Sequence, residues 1–316
     1  MEFQVKKTTE LSKEEINQIN SLFKEVFDKE RSEEEFLNQS VQNPLGYSYH
    51  SLMIEDNKIV GLNSYVPSFY LVTGQKLLFA NSTDSMVSKH YRDFFNFKKM
   101  VDLAYKEMAK DDVKFVYGYP NDNSFPVLTK SKLMKDIGKM YTYCLPIHIG
   151  GVKPVMAFLN PLSEIGCRIF VFLCSVFASS KVDNYFIEKQ ADSYNITRYQ
   201  RGDGEYQIIN IDDFTLFYKI KNHEGVRTAF IIDISKKSPE SFNKSVKYLI
   251  KKHKKEFDLI LYPGYLKFNN TGLIKLPKKF EPKNFNFTGK ALDKNLPNEI
   301  WDINNWDTNL SNYDLI

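Results

Sequence analysis

The first half of the chain alternates between two hydrophobic periods. Ser12 followed by Glu15 makes a capping box, and Ile16, Ile19, Phe23, Val26 and Phe27 then recur at helical spacing, which predicts a helix with these residues turned inward. Beyond the loop around NPLGYSYH, the runs SLMIEDNKIVGLNSYVPSFYL and GQKLLFANSTDSMVS read as strands broken at Asp56-Asn57 and at Gly74. Consecutive strands with such short breaks predict antiparallel pairing. From Phe94 the period lengthens again: Phe97, Met100, Val101, Ala104 and Met108 mark a helix, and VKFVYGYP is the next strand. A strand, a crossover helix and a strand imply a parallel pair, here 78–87 with 113–119.

The second half echoes this order. VRTAFIIDIS is followed by a helix with Ser238 as N-cap, Pro239 first and Phe242, Val246, Leu249 and Ile250 inward, then by the strand FDLILYPG. FVYGYPN and LILYPGY hold corresponding places. Either one β-α-β unit is duplicated, the reading preferred here, or two halves converged on a common unit. The expected architecture is a mixed α/β (α+β) sheet with a second, similar carboxy-terminal half: a domain at 1–150, a connector at 151–185 and the second half at 186–316.

Composition narrows the function. A chain of 316 residues with 42% apolar and 15% aromatic content can bury more than one core. The net charge of +4 comes from 43 basic and 39 acidic residues spread along the chain, which disfavours nucleic acid as the main partner. The run YLIKKHKKEF reads as an exposed helix face, or as an attraction for phosphorylated ligands. Cys144, Cys167 and Cys174 form no paired pattern, and MEFQVKKTTELSKEE has no apolar signal stretch, so a reducing cytoplasm is expected. The apolar run IGCRIFVFLCSVFAS at 165–179 is shorter than the roughly 20 residues of a bilayer span and contains Arg168. It is expected to be a buried helix or connector, with a membrane- or partner-docked surface as the alternative and no integral span.

Familiar catalytic motifs are missing: no GxxxxGK[ST], GxSxG, HExxH or CxxC occurs, and His50, His90, His148, His223 and His253 are too scattered for a metal cluster. What remains is VSKHYRDFFNFKKM, 87–100. It carries a strand into a turn and a helix, where diverging parallel strands and unpaired helix N–H groups suit an anion such as a pyrophosphate.

In this stretch the sequence resembles the GNAT superfamily of acyl-CoA-dependent N-acyltransferases. Val87, Tyr91 and Arg92 fit the family's V-x-P-x-Y-R-like strand end, and FKKM fits the helix after its glycine turn. DNSFPVLTKSKL is similar to a later family segment, so the resemblance covers roughly 1–145. Both turn glycines are replaced, by Phe95 and Phe97, and the family's general-acid tyrosine aligns with Leu128. A fold that has lost CoA binding therefore stays open. The two phenylalanines are expected to pack inward while the backbone of 94–97 still offers N–H donors.

The resemblance implies acyl-CoA, acetyl-CoA or 3-hydroxybutanoyl-CoA, as co-substrate, with no metal. Implied cofactor contacts are Met86, Val87, Arg92, Phe94, Phe95, Asn96, Phe97, Asn123 and Ser124, with an oxyanion donor near Val87. Asp84 is the first choice for proton acceptor, with a hydrogen-bonding loop role as the alternative, and Asn121 is a second catalytic candidate beside a plain turn role. Asn81, Thr83 and Tyr119 would lie near the thioester or the amine. The whole chain is similar to bacterial nucleotide-sugar N-acyltransferases of this superfamily, which implies a nucleotide-linked amino sugar (a dTDP-3-amino-3,6-dideoxyhexose) destined for surface polysaccharide. His223, Tyr262, Tyr265, Trp301 and Trp306 would then be acceptor contacts, the second half contributing part of the pocket. Aminoglycosides, polyamines, peptidoglycan-type aminoacyl transfer and a non-catalytic binding role are the alternatives.

Overall fold

The computed structural model describes residues 1–189, 206–281 and 283–313. They form two compact units. One comprises Met1–Gly138, Asn286–Asn305 and the stretch beginning at Phe186; the other comprises Lys139–Tyr185, the described residues from Tyr206 to Phe285, and those from Trp306 onward. The expected connector 151–185 thus falls within the second unit.

In the first unit β1 (Glu2–Lys7), β2 (Tyr49–Glu55), β3 (Lys58–Val72), β4 (Gln75–Val87), β5 (Phe115–Gly118) and β13 (Phe285–Ala291) lie side by side in that order, and β7 (Ile187–Lys189) pairs with the far end of β3. The β2–β3 turn places Asp56 and Asn57 at φ 48° and 60°, and the β3–β4 turn places Thr73 and Gly74 at 50° and 80°. Positive φ at both central residues is the two-residue turn that matches strand twist. β4 and β5 pair in parallel from Phe79↔Phe115 to Ser82↔Gly118, as the periods predict.

Helices α1 (Lys13–Phe27) and α2 (Glu33–Val41) cover one face of this sheet, where Ile16, Ile19, Leu22 and Phe36 pack on Leu52, Leu62 and Met86. Each such buried side chain contributes roughly 1.5–3 kcal/mol. Helix α3 (Phe94–Lys110) covers the other face with Val101, Ala104 and Met108. Phe27, expected inward, is 41% exposed because the helix ends there in a left-handed Asp28, and Leu22 takes the inward place instead. β1 and α2 lie outside the elements expected from the hydrophobic periods, although Ser32 and Glu35 form a capping box as clear as that of α1.

The second unit has the order β6 (Lys135–Pro146), β11 (Leu259–Gly264), β10 (Val226–Ile234), β9 (Phe214–His223), β8 (Tyr206–Ile211), with β12 (Ile274–Lys275) also on β6. β10 and β11 pair in parallel, Thr228↔Leu259 to Phe230↔Leu261, across α7 (Pro239–His253). Each unit therefore repeats a hairpin, a crossover helix and a parallel pair. Each sheet also takes a strand from the opposite half of the sequence, β13 beside β5 and β6 beside β11.

After α4 (Ser124–Lys130) in the first unit, the short α5 (Ile149–Val152) and a 3-10 turn lead into α6 (Asn160–Val176) of the second. The helical run Pro154–Val176 has 23 residues, longer than the apolar sequence suggested, and among the described residues it is the one helix long and apolar enough to cross a membrane. The expectation of a buried helix holds for one face only: Cys167 and Val171 are buried, whereas Ile165, Ile169, Phe172 and Val176 are exposed.

Candidate active site

Strand β4 carries an irregularity that opens the sheet. Ala80 packs under α3 and Met86 under α1 and α2, although both positions are even and a strand alternates faces. One extra residue must therefore intervene. It does: Leu62 pairs with Met86 and Ser64 with Thr83, so Asp84 and Ser85 together face Asn63, and Asp84 sits at φ 47°. Past Ser82 the parallel ladder stops, because β5 ends at Gly118. The rest of β4, 83–87, continues without β5 beside it.

Side chains hold this bulge from both sides. The Asn63 carboxamide oxygen accepts from Ser85 Oγ at 2.8 Å and Ser82 Oγ at 3.2 Å, while its Nδ2 donates to Tyr65 Oη at 2.7 Å. On the other face Asp84 accepts a hydrogen bond from Arg31. The guanidinium lies 4.2 Å from the ring centre of Phe23 and 4.9 Å from that of Phe36, and Nε donates to Asn20 Oδ1. Asp84 is thus placed in a buried ion pair beneath the helices.

The strand leaves the bulge toward α3. Ser88 N–H donates to Val60 O, Arg92 Nε donates to Val87 O at 3.0 Å, and Lys89, His90 and Arg92 are exposed on this loop. Asp93 caps α3 by accepting from Asn96 N–H, and Phe97 N–H donates to Asp93 O. Among the described residues the N–H groups of Phe94 and Phe95 have no protein acceptor, so the expected four donors reduce to two. Phe97 packs under the sheet, but Phe95 is 74% exposed, against expectation, because it lies on the side of α3 away from Val101, Ala104 and Met108.

Beside the start of α3 runs an open groove of about 410 Å³ lined by Phe94, Pro126, Val127, Lys130 and Ser131. Asn121 shapes its α4 wall: its carboxamide oxygen accepts from Asn123 N–H at 3.0 Å, Ser124 N–H at 2.9 Å and Ser124 Oγ at 3.0 Å. Tyr119 stacks on Phe287 at 5.0 Å, and Leu128 packs against the core under α3. Met86 is buried, so its side chain is unavailable to a ligand, and Asn81 is 6% exposed beside Thr83 on β4.

The remaining candidates divide between the units. Trp301 belongs to the first, edge-on to Phe115 with Lys135 Nζ over its ring. His223, Tyr262, Tyr265 and Trp306 belong to the second. There Tyr262 and Trp306 are fully buried core side chains, which corrects their expected role as acceptor contacts. His223 is exposed at the end of β9, edge-on to Phe230, and Tyr265 is half-buried beside Tyr141.

The repeated helix start in the second unit is closed. In α7 Pro239 has no N–H, Glu240 N–H donates to Ser179 O, Ser241 N–H to Ser238 Oγ and Phe242 N–H to Ser238 O. Just before it, burial works against the ammonium of Lys237, but Asp233 and Asp307 outweigh burial and hold its pKa well above the usual value. An anion finds open donors at α3, not at α7. Among the described residues no cluster of metal-ligating side chains occurs.

Residues 7–129 match the family described as acetyltransferase (GNAT) domain. The fold of nearly the whole chain is similar to that of a GCN5-related N-acetyltransferase from Anabaena variabilis ATCC 29413 (TM-score 0.60, 11% identity, covering 92% of this chain and 73% of that one). It is also similar to one from Kribbella flavida (TM-score 0.60, 9% identity, 92% and 72%) and to Eis1 from Mycobacterium abscessus (TM-score 0.56, 12% identity, 93% and 74%). No curated protein sequence matches the chain. Residues 7–129, within the first unit, thus match a GNAT acetyltransferase domain, and the fold of the chain is similar to that of GNAT N-acetyltransferases.

Proposed function

We propose that the protein is an N-acyltransferase that moves an acyl group from acyl-CoA to an amine, using the first unit for the acyl donor. The parting of β4 from β5 beyond Ser82 and Gly118 carries this reading. It exposes strand backbone to a pantetheine arm, next to the free N–H groups of Phe94 and Phe95 for pyrophosphate and the Phe94–Lys130 groove for the rest of the donor. In the reaction the amine nitrogen bonds to the acyl carbon, the C–S bond breaks, the amine loses a proton and the thiolate gains one. Backbone N–H groups around Val87 would stabilise the oxyanion.

In this reading Asp84 and Asn121 are positioning residues. Asp84 fixes the bulge through Arg31, and Asn121 fixes the start of α4. Ser85, exposed and oriented by Asn63, carries a hydroxyl on the part of β4 that β5 leaves unpaired and would pass the amine's proton to water. The acceptor proposed is a nucleotide-linked amino sugar, a dTDP-3-amino-3,6-dideoxyhexose, made for surface polysaccharide. The sequence resemblance supports it, as does a second unit larger than donor binding alone requires.

Calorimetry with acetyl-CoA and 3-hydroxybutanoyl-CoA tests the donor; absence of binding to both removes the enzyme reading. A thiol-release assay across dTDP-amino sugars, aminoglycosides and polyamines tests the acceptor. Turnover confined to polyamines or aminoglycosides would keep the enzyme and reject the sugar.

A further inference from the structure

Helix α6 has two apolar faces. Cys167 and Val171 bury into the core of the second unit, and Ser163 Oγ and Cys167 Sγ both donate to Pro146 O, which ties the helix down along that side. On the opposite side Leu162, Ile165, Ile169, Phe172, Leu173 and Val176 fall within a stripe about 100° wide, a spacing set by the helical period. All of them are more than half exposed, and the preceding 3-10 turn extends the stripe with Val155 and Phe158, 76% and 77% exposed. Solvated apolar stripes of this length mark contact surfaces.

Charge around the stripe indicates what covers it. Between Lys153 and Lys181 the only acidic residue is Glu164, and its carboxylate is taken by Arg168 at 2.7 Å and Lys254 at 2.8 Å. The Lys254 contact brings the basic end of α7, with exposed Lys251, Lys252 and Lys255, to the side of α6 that carries Arg168. Lys153 and Lys181, both exposed, flank the stripe in sequence. A second copy meeting this face would set cation against cation, whereas anionic lipid headgroups would meet cations while the acyl region receives the apolar side chains. A spanning arrangement would withdraw the packed face of α6, exposing Cys167 and Val171 and leaving Pro146 O without these donors, whereas an interfacial one keeps them.

We propose that α6 docks the protein on an anionic lipid bilayer, lying in the interface plane with the Val155–Val176 stripe immersed and the lysines on the headgroups. This inference is independent of the acyltransferase reading, and its test needs no substrate.

Flotation of the full chain with vesicles of phosphatidylcholine plus phosphatidylglycerol, compared with phosphatidylcholine alone, checks it. Binding is expected to the anionic vesicles, to fall with added salt, and to weaken about tenfold or more in the Leu162→Ser/Phe172→Ser variant. Replacing Lys251, Lys252 and Lys255 by Ala should weaken it about tenfold without affecting the fold. Circular dichroism confirms folding, since every substituted side chain is exposed. No binding by the unaltered chain, or binding indifferent to the stripe variant, overturns the proposal. So does a dimer in sedimentation that dissociates in the stripe variant while vesicles remain unbound.

Discussion

Arg31 and Asp84 form an ion pair whose side chains are only 6% and 9% exposed, and it joins the helix-covered face of the first unit to the bulge in β4. Removing one member strands the other in the interior, which costs about 3–5 kcal/mol, whereas removing both leaves a mostly apolar gap between Phe23 and Phe36. Asp84→Asn is therefore expected to lower stability in urea unfolding by that amount, and Arg31→Met combined with Asp84→Asn to recover much of it. A double variant as unstable as the sum of the singles would show that the pair is not what holds the bulge.

The two crossover helices should respond differently to changes at their starts. Asp93 places a carboxylate at the start of α3, the end proposed to meet a pyrophosphate, while Asn caps equally well without the charge. Asp93→Asn is expected to tighten CoA about fivefold at low salt, with little change in melting temperature. Ser238→Ala, at the closed end of α7, should lower stability by about 1 kcal/mol and leave CoA affinity unaltered. Calorimetric titration of both variants compares the two ends directly.

Arg92 reaches back to Val87 O but leaves its guanidinium exposed beside the free N–H groups of α3. If it meets phosphate, Arg92→Ala should weaken CoA about tenfold and pantetheine, which has no pyrophosphate, hardly at all. Equal losses for the two ligands would place Arg92 elsewhere.

Much of this arrangement was legible in the sequence where local period governs structure. Both β-α-β units, their parallel pairs and the caps at Ser12 and Ser238 follow from spacing and residue type alone. The bulge was not legible, because it depends on Arg31 meeting Asp84 from a distant helix–loop region. Nor does hydropathy distinguish the packed face of α6 from its exposed one, since both are apolar. Tyr262 and Trp306 are aromatic, a character that serves a core as well as a ligand site. Strands β6 and β13 exchange between halves through contacts that no local pattern encodes.

His50 gives the first unit a pH dependence of calculable sign. It is fully buried on β2, with Nε2 at 2.9 Å from Thr8 Oγ1 and Nδ1 at 2.9 Å from Ser64 Oγ. Burial, and then the nearby charge of Arg31, push its pKa down to about 3 from an ordinary 6.5. Between these values the unfolded chain binds a proton that the folded chain refuses, so unfolding takes up protons and acid favours it. The stability that His50 permits is complete above pH 6.5 and is lost as pH falls toward 3, with a slope of up to about 1.4 kcal/mol per pH unit. Urea unfolding across this range should show that slope in the unaltered protein, and His50→Gln, which cannot titrate, should remove His50's contribution to it. An unchanged slope in the variant would assign the acid sensitivity to carboxylates instead.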